Sequence, residues 1–154
     1  MKREEFRNLL KRGIIAISPV YEKGIGDVTK IKLEDGEETI DRNIKTVVEN
    51  IAKTFMLDLT ESRRYYGQYL DKKKNIPLVY NSDNIYIVVK TRYPIGINDG
   101  AMSYVNCKYV KGSEGGVIKL NNGDEIKTFT SDRTIRKNLK ELNYILRDLE
   151  SRSV

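Results

Sequence analysis

Ile31-Lys32-Leu33-Glu34-Asp35-Gly36-Glu37-Glu38 and Ile118-Lys119-Leu120-Asn121-Asn122-Gly123-Asp124-Glu125 repeat one pattern 87 positions apart. Each runs from alternating apolar and polar residues into Asp-Gly or Asn-Gly, a pair whose tolerance of positive φ suits the tight turn of a β-hairpin. Upstream, Tyr21-Glu22-Lys23-Gly24 matches Tyr109-Val110-Lys111-Gly112 at an offset of 88. Downstream, each hairpin leads into an amphipathic stretch at helical spacing: Ile44, Val47, Val48, Ile51 and Phe55 after the first, and Ile135, Leu139, Leu142, Leu146 and Leu149 after the second. Strand, hairpin and helix thus recur in the same order. The expectation is an α+β fold, with antiparallel sheet and helices packed on one face, in a single domain 1–154 with pseudo-repeat halves 14–56 and 102–149. If the halves join into one sheet, its second face stays uncovered; the alternative is that two ordinary hairpins resemble each other by chance.

The remaining elements follow from local signals. A helix over 3–11 should end at Gly13, a strand should run over 14–21, and Asp41 should cap the helix that follows the first hairpin. Another helix is expected over 60–70, then strands over 77–80, 85–91, 102–110, 116–121 and 124–129, with Ser131 capping the last helix. The segment 92–100, with Pro94, Gly96 and Gly100, reads as a loop.

Composition narrows the function classes. The chain has 154 residues, 39% hydrophobic and 32% charged, the balance of a compact globular unit. It has no apolar run of the roughly 18–20 residues that a membrane span needs, and Met1-Lys2-Arg3-Glu4-Glu5-Phe6 lacks the apolar core of a signal peptide. With the lone Cys107, this makes a reducing, cytoplasmic location the expectation. There is no histidine, so the commonest general base and the commonest zinc ligand are both missing. Asp35, Glu37 and Glu38 sit on an expected hairpin tip, and the glycine clusters at 24–26 and 112–116 lack the Lys-Ser/Thr ending of a phosphate loop. The chain is therefore expected to carry no cofactor, no metal and no catalytic set.

Charge is more informative by position than in total. The formal net charge is +6, and residues 59–112 carry nine cations against four acids. Within them, Arg63-Arg64-Tyr65-Tyr66-Gly67-Gln68-Tyr69-Leu70-Asp71-Lys72-Lys73-Lys74 interleaves five cations with three tyrosines. Cations neutralise phosphates and release counterions, and tyrosines add flat surfaces and hydroxyls, a combination suited to nucleic acid. Arg63, Arg64, Lys72, Lys73 and Lys74 are the candidate phosphate ligands, and Tyr66 and Tyr69 the candidate groove walls. A second set, Arg92, Asn98, Ser103 and Asn106, suits the acceptor-lined floor of an A·T minor groove. The plain alternatives are a solvated helix end for the first set, and a surface ion pair and turn residues for the second.

At these residues the chain resembles the ComK family of competence transcription factors. The resemblance rests on Arg64-Tyr65-Tyr66-Gly67, on Ile76-Pro77-Leu78-Val79 leading through Asn81-Ser82-Asp83-Asn84 to Ile85-Tyr86-Ile87, and on Arg92, Pro94 and Ala101-Met102-Ser103. Ile15-Ala16-Ile17-Ser18-Pro19 and Thr29-Lys30-Ile31 are similar to the family's first strands. The resemblance implies a sequence-specific transcriptional activator that binds AT-rich double-stranded DNA through the minor groove as an associated dimer. Two departures stand out: the chain has no Trp where the family's turn has one, and it ends after the last expected helix. Control through a proteolytic adaptor is accordingly not expected. From another class, a protein-interaction module or inhibitor could use the same basic face against an acidic partner.

Overall fold

The computed structural model describes residues 3–92 and 101–152. Helix α1 (Arg3–Arg12) leads into a meander of β1 (Ile14–Glu22), β2 (Gly26–Leu33) and β3 (Gly36–Ile40), followed by α2 (Ile44–Thr54) and α3 (Leu59–Tyr69). A second meander comprises β4 (Leu78–Asn81), β5 (Asn84–Lys90) and β6 (Met102–Asn106). One 3-10 turn at Cys107–Tyr109 then gives way to β7 (Val110–Glu114), β8 (Val117–Leu120), β9 (Glu125–Lys127) and the long helix α4 (Asp132–Arg152). The fold is α+β with antiparallel sheets.

β1 pairs antiparallel with β6, which fuses the two meanders into a six-stranded sheet of order β3-β2-β1-β6-β5-β4. Strand alternation loads both of its faces. Ile17, Ile31, Leu78, Tyr80 and Tyr86 pack with Phe6 and Leu9 of α1 and with Val47, Val48 and Ile51 of α2. Ile15, Val79, Ile85, Ile87, Val89 and Val105 pack instead with Ile118 and Leu120 of β8 and with Ile135 and Ile145 of α4. Helix α3 bridges the two cores, giving Leu59 to the first and Tyr66 to the second.

The repeated hairpins therefore do not share a sheet: β7-β8-β9 forms its own three-stranded sheet. The order of three strands and a helix does recur, but the 3-10 turn at Cys107–Tyr109 breaks what reads as one strand over 102–110. There Asn106 Oδ1 accepts the Lys108 N–H at 3.1 Å and turns the chain out of the large sheet. The second sheet face is consequently not left open as the joined halves would require; the small sheet and α4 cover it. Local signals fared better. Gly123, with φ +91°, forms the tight turn before β9, and Ser131 Oγ accepts the Thr134 N–H at 3.2 Å to start α4. Asn43 rather than Asp41 caps α2, accepting the Thr46 N–H at 2.9 Å.

Candidate nucleic-acid interface

The basic and tyrosine-rich segment spans α3 and the turn that returns the chain to β4. Asp58 caps α3 by accepting the Glu61 N–H at 3.1 Å. The helix ends where Asp71, with φ +53°, lets the Lys72 N–H reach back to the Gly67 carbonyl at 2.8 Å. A side chain at Gly67 would sit 2.9 Å from Ile76 Cδ1 and 3.1 Å from the Lys72 carbonyl, so only glycine lets this return pack closely.

That turn sorts the three lysines. Lys72 points inward and donates to Glu141 Oε1 at 2.8 Å and Asn138 Oδ1 at 2.9 Å on α4. Its side chain is 13% exposed and that of Glu141 11%. Lys72 is therefore an anchor between α3 and α4 and not a phosphate ligand as the sequence suggests, because releasing it would strand a buried carboxylate. Lys73 and Lys74 stand exposed on the same turn, and neither makes a salt bridge among the described residues. Arg64 is exposed, with an ion pair to Glu61 at 2.6 Å, a surface contact worth little. Arg63 is half-buried and donates to the Tyr104 hydroxyl at 3.2 Å.

The tyrosines divide in the same way. Tyr66 is only 2% exposed; it donates to Asp148 Oδ2 at 2.8 Å and accepts from Arg152 at 2.7 Å. It cannot line a groove, and burial together with the bond to Asp148 pushes its hydroxyl pKa well up. Tyr65 donates to the other carboxylate oxygen of Asp148. Burial works against the Asp148 charge, but the Tyr65 and Tyr66 hydroxyls and the Arg152 guanidinium outweigh it and hold the carboxyl below its ordinary value. Tyr69 stays exposed and donates to the Tyr144 carbonyl at 3.1 Å, while its ring stacks on Tyr65 with centroids 6.1 Å apart.

The set proposed for the groove floor is taken apart by the fold. Ser103 is fully buried and shares a hydrogen bond with Thr91 Oγ1 at 2.6 Å. Asn106, 2% exposed, donates to the Ile14 and Asp83 carbonyls at 3.0 and 3.2 Å. Both lie on a central strand where neither can reach a base edge. Arg92 pairs with Asp27 of β2 at 2.8 Å, with side-chain exposures of 17% and 16%. It can read a groove only by leaving that partner. Asn98 lies outside the described residues.

Sequence reasoning missed Asn138, Glu141, Asp148 and Arg152, the groups that hold α3 against α4. A signal was present. Asn138, Glu141 and Asp148 are polar residues on the buried side of α4, and polar groups on a core-facing stripe need partners. Among the described residues no cluster of His, Cys, Asp or Glu is arranged to hold a metal ion, and no helix is long and apolar enough to cross a membrane. No family model matches the chain, and no curated protein or solved structure matches it significantly.

Proposed function

We propose that the chain is a DNA-binding regulator of transcription that grips duplex DNA by its phosphates through Lys73, Lys74 and Arg64 and favours AT-rich sequence through the minor groove. The observation that carries this reading is the pair of exposed lysines, Lys73 and Lys74, on a turn fixed from beneath by Lys72, beside the exposed ring of Tyr69. Two cations on a rigid support lose little freedom on meeting a phosphate, and a neighbouring tyrosine adds a flat surface and a hydroxyl. The AT-rich preference and the direction of control, activation, come from the ComK resemblance. With Ser103 and Asn106 buried, Arg92 is what the described residues keep of the set expected at the groove floor, and it would have to exchange Asp27 for the DNA.

The test is fluorescence anisotropy with an AT-box duplex and a GC-rich duplex across a salt series, with distamycin as competitor. Tight AT-selective binding that weakens with salt and is displaced by the competitor supports the reading. Weak and equal binding to both duplexes overturns it in favour of a protein partner. Lys73→Gln with Lys74→Gln should weaken binding to both duplexes by a similar factor, because phosphate contacts carry no sequence information.

A further inference from the structure

α4 carries six cations and four acids, a near-balance that gives no hint of a charged surface. The fold separates the two signs. Glu141 and Asp148 are buried and committed to Lys72 and to the Tyr65, Tyr66 and Arg152 groups. Asp132 turns back to accept the Gly115 and Gly116 N–H groups at 2.7 and 3.0 Å, which, against burial, hold its carboxyl below the ordinary range. Glu150 alone of the four is exposed. Arg133, Arg136, Lys137, Lys140 and Arg147 all face solvent, and none makes a salt bridge among the described residues. At 3.6 residues per turn these five and Tyr144 fall within about 100° of arc, in a row about 21 Å long from Arg133 to Arg147.

Among the described residues, Arg133, Arg136, Lys137 and Lys140 alone line a hollow of about 300 Å³. They occupy positions i, i+3, i+4 and i+7, so each cation has two like-charged neighbours on the helix surface. Lys137 would ordinarily pair with Glu141 at i+4, but Glu141 is turned inward to Lys72. Such a diamond is unfavourable while empty and favourable around an anion. The α3 turn packs along the edge of this helix: Lys72 bonds Asn138 and Glu141 on the buried side, and the Tyr69 hydroxyl reaches the carbonyl of Tyr144, which stands in the row and is 54% exposed.

We infer that the outer face of α4 is a second phosphate-binding surface, seating one strand of the duplex backbone along the row from Arg133 to Arg147, with Lys73 and Lys74 beside it. Cations stand at Arg133, at Arg136 and Lys137, at Lys140 and at Arg147, with the exposed Tyr144 in the turn between the last two, so each turn of α4, about 5.4 Å, offers the strand a cation or a phenol hydroxyl. This inference rests on the DNA-binding reading. It requires that the α4 contacts be indifferent to base sequence.

The experiment compares the parent chain with a triple variant, Arg133→Gln, Lys137→Gln and Lys140→Gln, by anisotropy on AT-box and GC-rich duplexes from low to moderate salt. A control variant, Lys45→Gln with Lys53→Gln, removes two exposed cations from α2. The triple variant should lose at least tenfold in affinity on both duplexes. Its slope of log affinity against log salt should be shallower by about 2.7, three counterions at about 0.9 each. The control should keep the parent slope, and removal of like-charge neighbours should leave the triple variant's thermal midpoint at or above the parent's. A parent that binds DNA and a triple variant with the same slope overturn the inference and leave the DNA-binding reading standing. A control slope loss of about 1.8, the same per cation removed as in the triple variant, also overturns it, since net charge alone would then account for the effect. A parent that binds neither duplex removes the reading and the inference together.

Discussion

Glu141→Gln should destabilise the protein by about 2 kcal/mol, although its partner Lys72 belongs to a lysine run that reads as a surface feature. The pair is nearly buried, with side-chain exposures of 13% and 11% and a Nζ to Oε1 distance of 2.8 Å. Removing one charge of a buried pair costs about 3–5 kcal/mol because the other is left without compensation. Here glutamine keeps an acceptor and Asn138 keeps its bond, so the loss should fall to about 2 kcal/mol. For a chain of this size that lowers the thermal midpoint by about 4–8 °C. Lys72→Met combined with Glu141→Leu removes both charges and leaves the net charge unchanged. It should return stability to within about 1 kcal/mol of the parent, since apolar replacements of a buried pair are close to neutral. Urea unfolding at constant m measures both variants. The double variant should also bind DNA like the parent, whereas Lys73→Gln with Lys74→Gln should not. A cost for Glu141→Gln below about 0.5 kcal/mol would refute the anchoring role, since that is the range of a surface pair. A double variant with DNA affinity as low as that of the Lys73 and Lys74 variant would refute the division of the lysines.

The remaining predictions address other parts of the fold. Asp148 is held below its ordinary pKa against burial by Tyr65, Tyr66 and Arg152. It therefore contributes stability above the unfolded carboxyl value of about 4 that is lost as pH falls through the folded value, and Asp148→Asn should flatten the acid limb of stability against pH. Unchanged acid sensitivity in that variant would remove Asp148 from the account. Burial pushes the Cys107 thiol up to about 12, so iodoacetamide at neutral pH should label the native chain far more slowly than the urea-unfolded chain. Gly67→Ala should cost about 1–2 kcal/mol in chemical unfolding even though alanine favours helix, because its Cβ would meet Ile76 and the Lys72 carbonyl. A neutral or stabilising result there would mean that the turn can shift without loss.

Hairpins, helices and caps were legible in the sequence wherever one local rule sufficed: Asn122-Gly123 before β9, Ser131 at the start of α4, and Gly13 just after α1, where its φ is +89°. Their signals act between residues a few positions apart, so the chain carries them without its fold. The exposure of Lys73, Lys74 and Tyr69 and the apolar stripes of α2 and α4 were legible too. What the sequence could not decide was which polar groups the long-range packing would enclose. Ser103 and Asn106 look like readout residues until β6 becomes a central strand. Lys72 looks like its two neighbours until α4, 66 residues away at Asn138, comes beneath it. The cationic face of α4 has the same origin, since its acids and cations nearly cancel along the chain. Packing against α3 draws Glu141 and Asp148 inward, because buried donors there must be satisfied and carboxylates satisfy them, and the backbone N–H groups of Gly115 and Gly116 in the β7–β8 turn take up Asp132. The sequence determined the charges, and the tertiary structure decided which of them face water.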